Sequence, residues 1–259
     1  MKKRALSLLM AGALAAAALS GCGASGSSSA ESTAAASSET TASAADGDTL
    51  SFGVIAPLTG PHALYGEAAK NGVNLALEEI NEAGGVKVGD KSYSLNAAVI
   101  CDDKSDSTEA ISAYNNCASY DILGIIGTYA SSCTKAFATQ AQSDGLIVIT
   151  PQSTNASICK IGDYIFRACF SDDAQGPAMA EFIKDKLGAK KAAIIYGSNE
   201  DYCTGLYESI SKYFDENGVD YVVYECNSTD TDFSAQVSKV VAEGCDAIAY
   251  PNYLDTAPM

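Results

Sequence analysis

From Leu50 onward, short apolar runs alternate with segments whose apolar residues recur at helical spacing, and few folds accept that alternation. Ser51–Leu58 is an apolar run closed by the turn signal Thr59-Gly60-Pro61. Tyr65, Ala69, Val73, Ala76, Leu77 and Ile80 then recur at helical spacing until Gly84-Gly85. Strands are predicted at Leu95–Cys101, Ile122–Gly127, Leu146–Thr150 and Tyr164–Phe170, with helices at 107–119 and Ser132–Ser143. Asp106 followed by Glu109 has the spacing of a capping box at the start of helix 107–119. After 171–174 the alternation begins again. Helices are expected at Gln175–Leu187, Thr204–Asn217 and Phe233–Glu243, and strands at Ala192–Gly197, Tyr221–Cys226 and Ala247–Pro251. Near-continuous apolar strands between amphipathic helices imply parallel sheets covered on both faces. The expected fold is therefore α/β with two lobes, 49–171 and 172–259, each a parallel sheet flanked by helices. The last strand is followed by only eight residues. Such a strand normally feeds a covering helix, so the second lobe is expected to be incomplete and the sequence C-terminally truncated.

The first 21 residues have the build of an export signal. Lys2-Lys3-Arg4 precedes a mostly apolar stretch from Ala5 to Ala18, which is shorter than the ~20 residues that span a bilayer. Leu19-Ser20-Gly21-Cys22 closes it and resembles the bacterial lipoprotein signal, in which the peptide is cut before a lipid-bearing cysteine. That resemblance implies a lipidated Cys22 and a mature chain held outside the cytoplasm, at the cell surface or in the periplasm, by its lipid anchor. Residues 22–48 then form a tether. From Gly23 to Asp48 they contain no apolar residue larger than Ala, cannot bury enough surface to fold, and have an r.m.s. span of roughly 30 Å.

Charge excludes one class of partner. Three of the 16 basic side chains lie in the leader, so 32 acidic side chains face a smaller basic set in the mature chain. Such a surface repels phosphate, and nucleic acid is not expected as a partner. Beyond Cys22 the cysteines stand at 101, 117, 133, 159, 169, 203, 226 and 245 without a CxxC pair, and are expected to be small buried apolar thiols. With His62 as the single histidine and no clustered cysteines, no metal site or cofactor is expected.

In open parallel sheets, ligands bind outside the carboxyl ends of the strands. Here those loops are 59–66, 102–106, 128–134, 150–155, 197–203 and 251–255. Loop 128–134 carries Tyr129, Ser131 and Ser132 and opens a helix, whose free N–H groups suit a carboxylate. Loop 150–155 carries Gln152, Ser153 and Thr154, and the hydroxyls of Ser153 and Thr154 are expected to face the same crevice. Tyr65, Tyr129, Tyr202 and Tyr253 fall in or beside these loops, two from each lobe. Aromatic faces attract an ammonium and also pack an aliphatic chain.

These segments carry a family resemblance. Gly60-Pro61 with Tyr65-Gly66 and Gly72, Ile80-Asn81-x-x-Gly84-Gly85, Ser131-Ser132-x-Thr134 and Thr150-Pro151-x-Ser153-Thr154 appear in order. Arg167 before Asp172-Asp173-x-Gln175-Gly176, Tyr202-x-x-Gly205 and Asp232-Phe233-Ser234 complete the set. From Phe52 to Asp255 the chain resembles the branched-chain amino acid type of periplasmic solute-binding protein, the receptor of an ABC importer. The resemblance implies a type I periplasmic-binding fold, a clamp that closes on an amino acid, branched-chain or otherwise aliphatic, and presents it to a membrane permease. It implies that Ser131 and Thr154 hold the ligand's carboxylate and ammonium, helped by backbone at Gln152 and Ser153. Tyr65 and Tyr129 would flank the side-chain pocket, and Tyr202 and Tyr253 would close from the second lobe. The family's acidic partner for the ammonium lies in a later loop than this sequence contains. The small disulfide of some members would need Cys at Ser105 and Ala130. A monomer without enzymatic activity is expected.

Two rivals stay open at this level: the same clamp as the sensing domain of a signalling protein, or an exported hydrolase. The hydrolase has less support, since no Gly-x-Ser-x-Gly elbow is present and the one histidine sits beside Pro61. Asp102-Asp103 reads as a solvated strand end rather than an acid pair.

Overall fold

The computed structural model describes residues 48–254. The leader, Cys22 and nearly all of the tether lie outside the described residues. Two sheets organise the chain. The first has six strands in the order β2-β3-β1-β4-β5-β6, and the second three in the order β8-β7-β9. The first sheet comprises β1 (Thr49–Ala56), β2 (Val86–Val88), β3 (Lys91–Asp102), β4 (Gly124–Ile126), β5 (Ile147–Thr150) and β6 (Ile165–Arg167). Its helices are α1 (Ala63–Glu82), α2 (Ser107–Ala118) and α3 (Ser131–Asp144). The second sheet comprises β7 (Lys191–Gly197), β8 (Asp220–Cys226) and β9 (Ala247–Ala249), with α4 (Asp172–Glu181), α5 (Asp201–Asn217) and α6 (Ser234–Ala242).

Every pairing in both sheets is parallel except β2 with β3, an antiparallel hairpin at one edge. The first sheet is thus parallel as expected, with an antiparallel hairpin added at its edge. The hairpin turns at Gly89 (φ 62°), and its Val86 and Val88 are exposed, so no buried apolar run announces it. β3 is also longer than its predicted apolar stretch, because Lys91–Tyr93 pair with β2 instead of entering the core. Conversely, only Ile165–Arg167 of the predicted strand Tyr164–Phe170 pairs with β5, and the rest leads to the second lobe.

The cores follow from strand periodicity. Along β7, Ala192 and Ile194 pack with Leu206, Ile210 and Phe214, while Ala193 and Ile195 pack with Phe233 and Val240 on the opposite face. A strand buried on both faces needs the near-continuous apolar run that Ala192–Tyr196 supplies. In the first lobe, Ile55, Ile125, Val148 and Ile165 meet Tyr114 and Phe137 of α2 and α3. On the other face of that sheet, Ile147, Ile149 and Phe166 are 40–48% exposed.

Helix boundaries follow local chemistry. Asp106 caps α2 by accepting from the N–H groups of Thr108 (2.8 Å) and Glu109 (3.0 Å). Glu109 pairs with Lys104 (3.1 Å), which is a different partner from the one a capping box would give it. α4 starts three residues earlier than predicted because Ser171 caps it, accepting from Asp173 N–H, and Asp172 and Asp173 fill its first turn. Gly145 and Gly218, at φ 68° and 64°, end α3 and α5 in the left-handed conformation that glycine adopts at least cost. The eight described cysteines are free thiols. Five are buried, Cys169 and Cys245 are half-buried, and Cys159 is exposed, which departs from the expected burial of all of them. No described helix is long and apolar enough to cross a membrane.

Candidate functional site

The carboxyl ends of β1, β4, β5, β6, β7 and β9 deliver their loops to one cavity of about 260 Å³. Tyr65, Tyr129, Ser131, Gln152 and Thr154 line it from the first lobe, and Tyr202 and Tyr253 from the second, joined by Phe170, Gln175, Asn252 and Leu254. Seven of the eight residues singled out from the sequence are thus brought together. Ser153 is the exception. Its hydroxyl is fully buried within 3.0 Å of Thr134 Oγ1 and the carbonyl oxygens of Thr128 and Tyr129. Its N–H donates to Thr150 Oγ1 (3.0 Å), so its hydroxyl and N–H hold the loop together instead of facing the crevice. Gln152 N–H makes a longer bond to the same Thr150 oxygen (3.4 Å).

Ser131 is the first residue of α3 and is almost fully buried at the cavity wall. Its hydroxyl accepts from Asn155 N–H at 3.3 Å, which ties loop 128–134 to loop 150–155. The N–H groups that open an α-helix have no intrahelical partner, so this wall is biased toward an anion. Arg167 braces the second loop by donating to the carbonyl oxygens of Thr154 (3.1 Å) and Asn155 (2.9 Å). The Thr154 hydroxyl is buried and without a hydrogen-bond partner of normal geometry among the described residues.

Aromatic rings form the rest of the wall. Tyr65 stacks on Tyr129 (centroids 4.4 Å, interplanar 12°), and Tyr202 stacks on Tyr253 (4.9 Å, 27°). Tyr253 reaches across to Tyr129 (5.4 Å) and to His62 (4.4 Å). His62, set aside in the sequence because it stands next to Pro61, does not line the cavity but packs against the aromatic wall and is only 7% exposed. Burial pushes the Tyr202 hydroxyl up to about 12, so it stays protonated and able to donate at neutral pH.

Gln175 was visible in a quoted motif but had no assigned role. It lines the cavity and donates to Tyr202 Oη at 3.2 Å. Asn252 fixes the last strand end, accepting from Gly197 N–H (2.7 Å) and donating to Ile195 O (2.9 Å). Asp102 and Asp103 are anchors and not a solvated strand end. Asp102 accepts from the N–H groups of Leu58 (2.8 Å), Thr59 (3.2 Å) and Lys104 (2.8 Å). Asp103 is fully buried against the Thr128 hydroxyl. No group of metal-ligating side chains occurs among the described residues.

The two lobes also touch directly beside the cavity. Ser132 donates to Glu200 Oε2 (2.9 Å), Asn155 Nδ2 donates to the Asp201 carbonyl (2.7 Å), and Lys135 pairs with the Asp201 carboxylate. These contacts bridge the two lobes. Lys135→Ala combined with Ser132→Ala is expected to weaken binding of any ligand enclosed by closure by roughly 3- to 10-fold, measured by calorimetry. Unchanged affinity would mean that these bonds do not contribute to closure.

Asp172, at the start of α4, is 1% exposed, and neither carboxylate oxygen meets a donor of normal geometry among the described residues. Burial raises its pKa from 3.8 to about 6, only partly offset by the Thr154 hydroxyl and the Arg167 charge. The folded protein therefore keeps a proton that the unfolded chain has lost between about pH 4 and 6. Stability contributed by this group falls as pH rises through that window, and above it the buried charge is a constant penalty. Asp172→Asn is expected to flatten the dependence of Tm on pH between 4 and 6 and to raise Tm by a few degrees at pH 7, as thermal unfolding would report. An unaltered pH profile would show that Asp172 does not titrate there.

The model of the family described as periplasmic binding protein matches residues 49–258. The chain belongs to the periplasmic binding protein family. Among its relatives is the leucine-, isoleucine-, valine-, threonine- and alanine-binding protein of Pseudomonas aeruginosa, 30% identical over 208 residues, which are 80% of this chain and 54% of the relative. Another is Leu/Ile/Val-binding protein homolog 3 of Brucella melitensis, 31% identical, matched over 82% of this chain and 56% of its own length. The substrate-binding protein of a branched-chain amino acid transporter from Streptococcus pneumoniae, solved in complex with isoleucine, superposes with a TM-score of 0.70. It is 31% identical, with 80% of this chain and 57% of that one covered. This periplasmic binding protein spans about half the length of the curated relatives it matches.

Proposed function

We propose that this chain forms the ligand-binding clamp of an extracytoplasmic receptor for an ABC importer, and that it binds a free amino acid, branched-chain or otherwise aliphatic, between its lobes. The observation that carries this reading is the cavity of about 260 Å³ lined both by hydroxyls, at the start of α3 and after β5, and by aromatic rings. A carboxylate suits the free N–H groups and hydroxyls of Ser131 and Thr154. An ammonium and a short apolar chain suit the faces of Tyr65, Tyr129, Tyr202 and Tyr253. A ligand that touches both lobes favours the closed state through contacts it lacks in the open one, and a membrane permease would read that closure. The names of the relatives, which bind leucine, isoleucine and valine, support this ligand class. Lipidation of Cys22 would hold the receptor at the membrane through the tether, as a monomer.

The test is a thermal-shift panel on the full-length protein with the twenty amino acids and, because the wall is aromatic, simple aromatic carboxylates. Binding to the native state alone raises Tm with concentration, by an amount set by RT ln(1 + [L]/Kd). A concentration-dependent rise with an aliphatic amino acid is expected. A flat response to all amino acids, or a response to aromatic carboxylates alone, would remove the proposed ligand class.

A further inference from the structure

Cys101 and Cys117 stand apart from the other cysteines. Cys101 ends the apolar part of β3 and Cys117 lies near the end of α2, with their sulfurs 3.5 Å apart. They are the one pair of thiols in hydrogen-bonding contact among the described residues. We propose that Cys101 and Cys117 form a reversible dithiol/disulfide site in the first lobe.

Geometry supports a bond between them. A disulfide has its sulfurs about 2.05 Å apart, so the pair needs to approach by about 1.5 Å, a shift within reach of small rotations of two short side chains. The two residues differ in the way thiol exchange requires. Cys101 is 7% exposed, and its sulfur accepts bonds from Asn116 Nδ2 (3.3 Å) and from the Cys117 thiol, both of which stabilise a thiolate. Those donors lower the Cys101 thiol's pKa, while contact with Cys101 together with burial raises that of Cys117. With Cys117 at 0% exposure, the partly exposed, doubly hydrogen-bonded Cys101 is the attacking sulfur and Cys117 the resolving one.

The step balances with an external low-molecular-weight disulfide as oxidant. The Cys101 thiolate attacks one sulfur of R–S–S–R, giving a mixed disulfide and releasing RS⁻. Cys117 passes its proton to that released thiolate, and its sulfur attacks the Cys101 sulfur of the mixed disulfide, expelling the second RS⁻. Two protein thiols and one external disulfide become one protein disulfide and two external thiols, with the second proton, lost from Cys101, taken up by the second RS⁻. The bond would clip the end of β3 to α2. The next residue, Asp102, holds Leu58 and Thr59 in the loop leading to His62 and Tyr65. Oxidation would therefore stiffen the strand end that holds this loop.

The experiment uses the full-length protein with Cys159→Ser, which removes the exposed thiol that would otherwise take up the reagent. The protein is incubated with oxidised glutathione, denatured in alkylating reagent, and mapped by peptide mass spectrometry with fragmentation. A Cys101–Cys117 linkage that dithiothreitol reverses is expected. Closing a loop of about 15 residues should raise Tm by roughly 6–12 °C, and the rise should vanish in Cys117→Ser. Recovery of both cysteines as alkylated thiols, recovery of a glutathione adduct alone, or an unchanged Tm despite linkage would overturn the proposal. The Cys117→Ser variant is checked by circular dichroism, so that loss of fold is not mistaken for loss of the site.

Discussion

Thr154→Ala and Ser131→Ala, each in the full-length protein, are expected to weaken amino-acid binding by roughly 10- to 100-fold while leaving the Tm of the unliganded protein within a few degrees. The magnitude follows from hydrogen bonds to a charged group, which contribute about 1.5–3 kcal/mol each. The Thr154 hydroxyl has no internal bond of normal geometry to lose among the described residues, so its removal should affect ligand more than fold. Ser131 has one such bond, a long one from Asn155 N–H, so a slightly larger effect on stability is expected there. Isothermal titration with the amino acid that stabilises the wild type most would measure both variants. Unchanged affinity in both would refute the placement of the ligand's polar end at the start of α3 and in the loop after β5.

The second large effect concerns stability. Gly66→Ala is expected to cost about 3 kcal/mol or more, a fall in Tm of roughly 6–12 °C by thermal unfolding. A Cβ on Gly66 would lie 1.9 Å from the Pro57 carbonyl oxygen and 2.4 Å from its carbon. Both are backbone atoms of the turn that links β1 to α1, so no side chain can swing aside. The next residue back, Tyr65, lines the cavity, so movement of the first turn of α1 should also weaken ligand binding. A variant with wild-type Tm would show that the turn yields without cost.

The relation between these two positions explains what the sequence made legible. Tyr65-Gly66 and Ser131-Ser132-x-Thr134 stood out as motifs because one requires a missing side chain and the other a short hydroxyl at a helix start. The strands of the second lobe were legible because burial on both faces of β7 demands a continuous apolar run, and Ala192–Tyr196 supplies it. The β2–β3 hairpin escaped notice because its residues face solvent, where no apolar periodicity is needed. Ser153 misled because residue type alone does not say which way a hydroxyl points, and three hydrogen-bonding partners in loop 128–134 turned it inward. His62 escaped for the opposite reason. A single histidine beside a proline has no local signature, and only the fold brings it against Tyr65, Tyr129 and Tyr253. Asp172 lay inside a quoted motif, yet the burial that raises its pKa comes from tertiary packing, and Thr154 and Arg167, which arrive from other elements, only partly offset it.

The central claim is that one gap between two α/β lobes takes a free amino acid by its polar end. A crystal structure of the full-length protein grown with its most stabilising amino acid tests it most directly. The account predicts the ligand carboxylate about 3 Å from the Ser131 and Thr154 hydroxyls, with its side chain against Tyr65, Tyr129 and Tyr253. A ligand bound elsewhere, or one lying in the gap with its carboxylate turned away from the start of α3, would contradict it.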